Sequence, residues 1–401
     1  MRNNHGIHTF SVSFQLPSGE VYSELQHELF EYSKKNNIRF IPNFNTDDLL
    51  DDTTEQEIDK YILNVIVGNL RKKQENPTRE YWIKRRRTLS VPGTGLAIQL
   101  EKSIYCEDTR ITHRNYYIRY FVNPSQIMGN ESYNIYQDDD FIEVCQRVDS
   151  IISSVDDKLP KMQDTSLRRI DFCHDITLGD PNKVRMYINL LKKYRGYKGF
   201  KIVFDADEKG NRYPVELYTS LRRGATELYV YDKYAQMKGK NYYSAEDRKE
   251  KYGVLRVELR FYNAKIYYEK RKRGLKLPLD FLNQSGNISN HGFDFYLRHL
   301  FHMGEYHTYV NAIAIIDKSK CSKKIKNCLR QLIQHISEKH NLIEGINSVM
   351  KWLELDRNDI KYLLNALNRL NVNPVTISRR DSVSYGYDHL PNLLTYFKNE
   401  D

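Results

Sequence analysis

Cysteine is scarce in this sequence of 401 residues, and the way it is used excludes several classes of protein. The five cysteines are odd in number and include no Cys-x-x-Cys pair. They are Cys106, Cys145, Cys173, Cys321 and Cys328. This usage argues against a disulfide scaffold and a zinc ribbon, and it favours a reducing compartment.

Several common functional signatures are also absent. The sequence has no P-loop, GxGxxG, HExxH, GxSxG or His-x-His motif, which disfavours the usual ATPases, dehydrogenases, zinc proteases and hydrolases. His299, His302 and His307 are interpreted as scattered surface residues rather than metal ligands. The N-terminal stretch has no apolar signal-peptide core, and no apolar run approaches the length of a membrane span. We expect a cytoplasmic protein.

Positive charge and tyrosine are in excess. The formal net charge is +10, from 62 Lys and Arg against 52 Asp and Glu. Such an excess favours a polyanionic partner, although many proteins with surplus lysine bind no nucleic acid. The chain has 31 tyrosines and 16 phenylalanines, and tyrosine can stack on bases. Compositional bias explains the tyrosines equally well.

The order of apolar patterns predicts an α+β protein with a mostly antiparallel sheet flanked by helices and a helical C-terminal region. We predict one domain over residues 1–275 and a helical domain over residues 276–401. Helices are expected at 46–74, 140–159 and 323–339, among others. Those at 342–353 and 357–370 have the spacing of a helix-turn-helix, but two packed helices of a bundle would look the same. A short strand is expected at 372–377.

Three predicted strands each carry one apolar and one polar face. In Thr226–Lys233, the residues Glu227, Tyr229, Tyr231 and Lys233 share a face. In the strand at 167–176 the polar face holds Arg169, Asp171, Cys173 and Asp175, with His174 on the buried side. In the strand at 254–261 it holds Arg256, Glu258 and Arg260. If these strands pair in one sheet, their polar faces meet.

Such a surface has the groups that cut a phosphodiester bond: a nucleophile, cationic charge and acids. Lys233 lies about 6.6 Å from Tyr231 along the strand, and it would lower the phenol pKa or bind the phosphate. Asp171 and Glu258 would hold Mg²⁺ or Mn²⁺. Asp175 lies roughly 13 Å from Asp171 along its strand and is a weaker ligand candidate.

The same pattern also fits an ordinary solvated sheet with cross-strand ion pairs. The basic cluster that follows Trp82 would contact phosphates, or it would be a solvated surface. The candidate DNA-binding residues are Arg85, Arg86, Arg87, Arg222, Arg223, Arg256 and Arg260.

Short motifs in these strands resemble the filamentous-phage gene II replication initiators and related phage and plasmid initiators of Gram-positive bacteria. The motifs are Arg169-Ile170-Asp171, Tyr231-Asp232-Lys233, Leu255-Arg256-Val257-Glu258, Gly274-Leu275-Lys276-Leu277-Pro278-Leu279 and Tyr120-Phe121-Val122-Asn123-Pro124-Ser125. The similarity covers about residues 95–281, and Asn373-Pro374-Val375-Thr376-Ile377 resembles the Gram-positive members.

The resemblance implies an origin-specific nickase that joins itself through a tyrosine to the 5′ phosphate and later rejoins the strand. It assigns the nucleophile to Tyr231 and the metal-binding carboxylates to Asp171 and Glu258. Tyr229 would be a second nucleophile or a stacking surface, and Tyr218 is an outside candidate. The implied partners are double-stranded origin DNA and a host helicase and polymerase, in a bacterial cytoplasm.

Two alternatives remain open. A mobilisation relaxase would use the same chemistry at a different origin. A non-catalytic DNA-binding regulator would use the same basic sheet without cutting.

Overall fold

The α+β architecture predicted from the sequence is confirmed by a computed structural model, which describes residues 5–42, 81–107, 110–138, 140–202, 218–238 and 243–397. The predicted helix at 46–74 lies outside the described residues. In the described part of the chain, no helix is both long enough and apolar enough to span a membrane.

The strands of the described residues are β1 (His5–Gln15), β2 (Phe40–Pro42), β3 (Tyr81–Val91), β4 (Leu96–Glu107), β5 (Arg110–Val122), β6 (Ser166–Thr177), β7 (Lys201–Ile202), β8 (Tyr218–Arg223), β9 (Thr226–Asp232), β10 (Val254–Tyr262), β11 (Tyr306–His307) and β12 (His389–Leu390). The first helices are α1 (Gly19–Lys35), α2 (Pro124–Ile127), α3 (Ile142–Val155), α4 (Pro181–Lys192), α5 (Lys233–Lys238) and α6 (Ala245–Glu250). The later ones are α7 (Asn263–Arg273), α8 (Pro278–Leu282), α9 (Ser285–Leu300), α10 (Tyr309–Lys318), α11 (Lys323–Lys339), α12 (Leu342–Leu353), α13 (Arg357–Arg369) and α14 (Arg379–Tyr385).

The chain forms two compact units that are not consecutive halves of the sequence. The N-terminal unit comprises the described parts of Ile7–Ile170 together with Ile266–Gln284. The C-terminal unit comprises the described parts of Met1–Gly6, Asp171–Lys265 and Ser285–Asp401. The predicted boundary at residue 275 falls inside Ile266–Gln284.

The N-terminal unit is built on strands in the order β2-β3-β4-β5-β1, with antiparallel pairing throughout this series. Alternation puts Leu96, Ile98 and Leu100 of β4 in the core. Helix α1 begins where the Ser18 hydroxyl accepts a hydrogen bond from the Val21 amide. Its apolar side packs inward because apolar residues recur at helical spacing.

The C-terminal unit holds the part of β6 from Asp171 onward, followed in the sheet by β10, β9, β8 and β7. The pairs β10–β9, β9–β8 and β8–β7 are antiparallel. Gly224, with φ 56°, lies in the β8–β9 turn, where a positive φ favours glycine. Helix α4 starts as predicted, with Asp180 as its N-cap and Pro181 in its first turn. The unit's apolar sheet face packs on α9, where a Cβ on Gly292 would lie 2.8 Å from Leu259.

The helical C-terminal region is confirmed, and it includes the predicted pair α12 and α13. Gly345 of α12 lies so close to α11 that an added Cβ would be 2.4 Å from Ile336 Cα. Helices α11 and α12 therefore pack closely, as neighbouring helices of a bundle do. The predicted strand at 372–377 is wrong, because this segment makes only the isolated parallel bridges Glu305–Val372 and Thr308–Ile377.

Candidate functional site

The three strands with polar faces lie side by side in the order β6-β10-β9. The register of β9 and β10 places Tyr231 opposite Arg256 and Tyr229 opposite Glu258. The polar face is buried rather than solvated: Asp171 is 2% exposed, Glu258 1% and Tyr231 4%. Acidic side chains are seldom this buried unless they are paired, so the interpretation as an ordinary outer sheet face fails.

Tyr231 and Glu258 are in direct contact. The Tyr231 hydroxyl donates to Glu258 Oε1 at 2.7 Å, and Arg260 Nη2 donates to Glu258 Oε2 at 2.6 Å. The tyrosine therefore has a base within hydrogen-bond reach, and an arginine fixes the orientation of that base.

The electrostatics around Tyr231 differ from the sequence expectation. Desolvation by burial, followed by the charge of Glu258, raises the pKa of Tyr231 well above its ordinary value. Lys233 is not on the strand, because β9 ends at Asp232, whose Oδ1 accepts from the Ala235 amide and starts α5. The Lys233 ammonium donates a hydrogen bond to Gln236 Oε1 at 3.0 Å. The expectation that Lys233 lowers the phenol pKa is therefore not met.

Lys233 is itself perturbed. Its side chain is almost fully buried, at 1% exposure. Desolvation, followed by the positive charge of Arg256, lowers the pKa of Lys233 to about 7. The amine is therefore easily neutralised near physiological pH, which weakens it as a phosphate-binding charge.

Three acidic side chains surround Arg260. Its guanidinium lies 2.6 Å from Glu258, 3.8 Å from Glu227 and 3.9 Å from Asp171. Burial alone would lower the pKa of Arg260, but Glu258 and Asp171 raise it. The Arg260 guanidinium therefore lies among carboxylate oxygens, which are the ligands that Mg²⁺ and Mn²⁺ prefer. A metal ion would have to displace it.

Tyr229 completes this layer. Its ring lies 5.0 Å from the ring of Tyr231 and 4.0 Å from the Arg260 guanidinium. Tyr229 is only partly buried, so it is the more accessible of the two phenols. Tyr218 lies opposite Tyr231 on β8.

Asp175 and Arg256 form a separate ion pair. Arg256 donates to both carboxylate oxygens, at 2.6 and 2.8 Å, and Lys251 lies 3.9 Å away. The structure therefore gives Asp175 a partner other than a metal ion. Arg256 is 0% exposed and its guanidinium is held by both oxygens of Asp175, so its assignment as a DNA-contacting residue is wrong.

The other predicted DNA-binding arginines differ in exposure. Arg86 of β3 is bound to the buried Glu101 at 2.7 Å, and Arg85 is 8% exposed. Arg87 is half-buried. Arg222 and Arg223 are exposed at the β8–β9 turn, where they can meet a polyanion. Arg85 and Arg86 of β3 are therefore buried or paired within the N-terminal unit.

Comparison of the chain with protein-family models, curated proteins and solved structures finds no match. The similarity to phage and plasmid initiators therefore stays a prediction from short motifs.

A second candidate site was not predicted from the sequence, where His307 was interpreted as a scattered surface residue rather than a metal ligand. Glu305, His307 and His389 place one ligand atom each within 4.8 Å of the others, and they form a group that could hold a metal ion. His307 and His389 are far apart in the sequence and belong to no spaced motif. Only the pairing of β11 with β12 brings them together.

Proposed function

We propose that the protein is a tyrosine-dependent DNA nicking and joining enzyme that initiates rolling-circle replication of a phage or plasmid. The observation that carries the proposal is the hydrogen bond of 2.7 Å from Tyr231 to Glu258, whose second oxygen is held by Arg260. A nucleophile in contact with a base that a third group orients is the arrangement used in covalent catalysis.

In the proposed reaction, Tyr231 Oη attacks the phosphorus of one DNA strand and forms an O–P bond. The bond from phosphorus to the 3′ oxygen breaks, Glu258 takes the phenolic proton, and the 3′ oxygen gains a proton from water. The product is a 5′-phosphotyrosine and a free 3′ hydroxyl. Because the phosphoester is conserved, a 3′ hydroxyl can attack it later and rejoin the strand without ATP.

The raised pKa of Tyr231 determines when its proton moves. No free phenolate accumulates at neutral pH, because burial and the charge of Glu258 both disfavour it. Transfer to Glu258 must therefore accompany formation of the O–P bond, as in general base catalysis. Lys233 has no direct part in this step.

Asp171 and Glu258 are the residues that would bind Mg²⁺ or Mn²⁺. A divalent ion bound there would neutralise charge on the phosphate oxygens. Arg260 would first leave the two carboxylates, and a DNA phosphate gives its guanidinium another anion to bind. Asp175 takes no part, because Arg256 engages both of its oxygens.

DNA must also reach a tyrosine that is 4% exposed. Tyr229 and Arg260 lie against the Tyr231–Glu258 pair and are the more exposed partners. We assign to Tyr229 the role of stacking on a base, which would draw it and Arg260 away from Tyr231. Arg222 and Arg223 would contact the DNA backbone. Double-stranded origin DNA is the proposed partner, with a host helicase and polymerase acting after nicking.

The second candidate is a DNA-binding regulator that does not cut. The burial of Tyr231 favours it, because a purely structural tyrosine would also be closed off and hydrogen-bonded. A mobilisation relaxase would use the same residues as the initiator and differ only in its origin and partners.

The test uses the purified full-length chain, Mg²⁺ and supercoiled plasmids that carry fragments of the replicon encoding the protein. We expect nicked circles with covalently attached protein. Tyr231→Phe should lower adduct formation at least about 1000-fold, and Glu258→Gln should slow it about 100-fold or more. Tyr252→Phe, which changes an exposed tyrosine outside the site, is the matched control and should behave as wild type.

Other outcomes are equally informative. DNA that is retarded in a gel but never nicked supports the regulator. Loss of the adduct in Tyr229→Phe but not in Tyr231→Phe would move the nucleophile to Tyr229. Peptide mapping of the adduct identifies the modified tyrosine directly.

A further inference from the structure

We propose that Glu305, His307 and His389 form a binding site for Zn²⁺, separate from the polar face of the sheet. The register of the small β11–β12 sheet places His307 directly opposite His389. Their rings lie 4.8 Å apart at 25°. Glu305 Oε2 lies 2.6 Å from His389 Nε2, so three donors converge on one point.

The backbone holds these three residues in place. Glu305 is fixed on both sides, by a bond from its amide to Asn371 at 3.1 Å and one from Asn373 to its carbonyl at 2.8 Å. The His307 carbonyl accepts from Ile377 at 2.8 Å. Thr308, next to His307, donates to Asp388, next to His389, at 2.9 Å. The ligands therefore stand on paired backbone rather than on a free loop.

The donor set selects the ion. Two imidazoles and one carboxylate are the protein ligands of many zinc sites that keep a fourth position for water. Mg²⁺ and Ca²⁺ prefer ligand sets made of oxygen alone. Ligand atoms around tetrahedral Zn²⁺, with bonds of about 2.0–2.1 Å, are about 3.3 Å apart. The three donors lie within 4.8 Å of one another, so small side-chain rotations reach that geometry without moving the backbone.

The site is open to solvent. The side chains of His389 and Glu305 are 42% and 32% exposed. An ordinary ion pair between these two residues would need no second histidine, and at such exposure it would contribute little to stability. An ion pair between Glu305 and His389 does not explain why the His307 ring stacks on His389. A metal site would use His307 as a third ligand.

The experiment titrates Zn²⁺ into the EDTA-treated, dialysed full-length protein by isothermal calorimetry. We expect tight binding that His389→Gln weakens at least about 100-fold. The glutamine keeps a polar side chain of similar length, and circular dichroism without metal checks that the variant folds. His291→Ala changes an exposed histidine in α9 and should bind Zn²⁺ as wild type does.

A second readout uses Co²⁺, whose visible absorption reports tetrahedral coordination. Wild type and His291→Ala should develop this absorption, and His389→Gln should not. Equal binding of Zn²⁺ by wild type and His389→Gln would overturn the proposal, as would the absence of stoichiometric binding to wild type. The proposal does not depend on DNA nicking, so it stands or falls independently of the Tyr231 variants.

Discussion

Replacing Asp175 by Asn removes one charge of a buried ion pair and keeps the shape of the side chain. Arg256 is 0% exposed and donates to both oxygens of Asp175, at 2.6 and 2.8 Å. The amide oxygen of asparagine can accept one of these bonds, but the guanidinium charge stays buried without its anion. Removing one partner of a buried pair costs about 3–5 kcal/mol. Because the Asp175 side chain is 20% exposed, we expect the lower end of that range, about 3 kcal/mol.

The difference in free energy of unfolding between wild type and Asp175→Asn should depend on pH, because folding shifts the pKa of Asp175. Burial would raise the pKa of Asp175, but the charge of Arg256 and its hydrogen bonds outweigh burial and lower it. The unfolded carboxyl titrates near pH ~3.9, so the ionised pair contributes its full stability above that pH. The contribution is lost as the pH falls through the lower, folded pKa. The difference between wild type and Asp175→Asn should therefore be full at neutral pH and shrink in acid.

Urea unfolding followed by circular dichroism measures the free energy difference at several pH values. Asp157→Asn changes an exposed aspartate and serves as the control, with an expected change within about 0.5 kcal/mol. A loss below about 1 kcal/mol for Asp175→Asn, or a loss that does not vary with pH, would refute the reasoning.

Two further substitutions test the buried lysine and the metal-site scaffold. The pKa of Lys233 is lowered to about 7 by desolvation and Arg256, so the folded chain holds a costly buried ammonium below that pH. Against an unfolded pKa of about 10.4, wild-type stability should rise with pH between the two values. Lys233→Met should therefore raise the thermal midpoint more at pH 6 than at pH 9, whereas the exposed Lys238→Met should not. A Cβ on Gly304 would lie 2.2 Å from the Val372 carbonyl carbon, so Gly304→Ala should lower the free energy of unfolding by about 1–3 kcal/mol in urea titrations.

Local alternation was enough to predict the three strands and the residues that share their polar faces. Tyr231, Asp171 and Glu258 were assigned to one surface because side chains on a strand alternate with a period of two. The start of α4 could also be predicted from local sequence, because the N-cap residue Asp180 and the first-turn Pro181 are adjacent.

The partners of the charged residues could not be predicted from alternation. Arg256 and Arg260 occupy the same face of β10, yet one binds Asp175 and the other binds Glu258. The choice depends on the register and neighbours of each strand, which are tertiary properties. Alternation likewise says which residues share a face but not whether that face is buried. The interpretation of Arg256 as a DNA contact failed for this reason.

The end of β9 and the pairing of His307 with His389 were both not predicted, but the sequence indicates the first more strongly than the second. The end of β9 was readable in principle, because Asp232 is a good N-cap residue and its side chain binds the Ala235 amide. The pairing of His307 with His389 had no local signal, since a two-residue sheet creates it across a long stretch of chain.

The charge balance at the polar face supports the proposal that Asp171 and Glu258 would hold a divalent ion. Asp171, Glu227 and Glu258 all lie within 3.9 Å of the single guanidinium of Arg260. If Arg260 moves to a DNA phosphate, these acidic side chains are left facing the same phosphate, and the repulsion is strong in a buried site. In the proposed enzyme, Asp171 and Glu258 would hold a divalent cation, whose charge would offset this repulsion once Arg260 has moved. Departure of Arg260 from Glu258 would then open access to Tyr231, because both residues bind the same carboxylate.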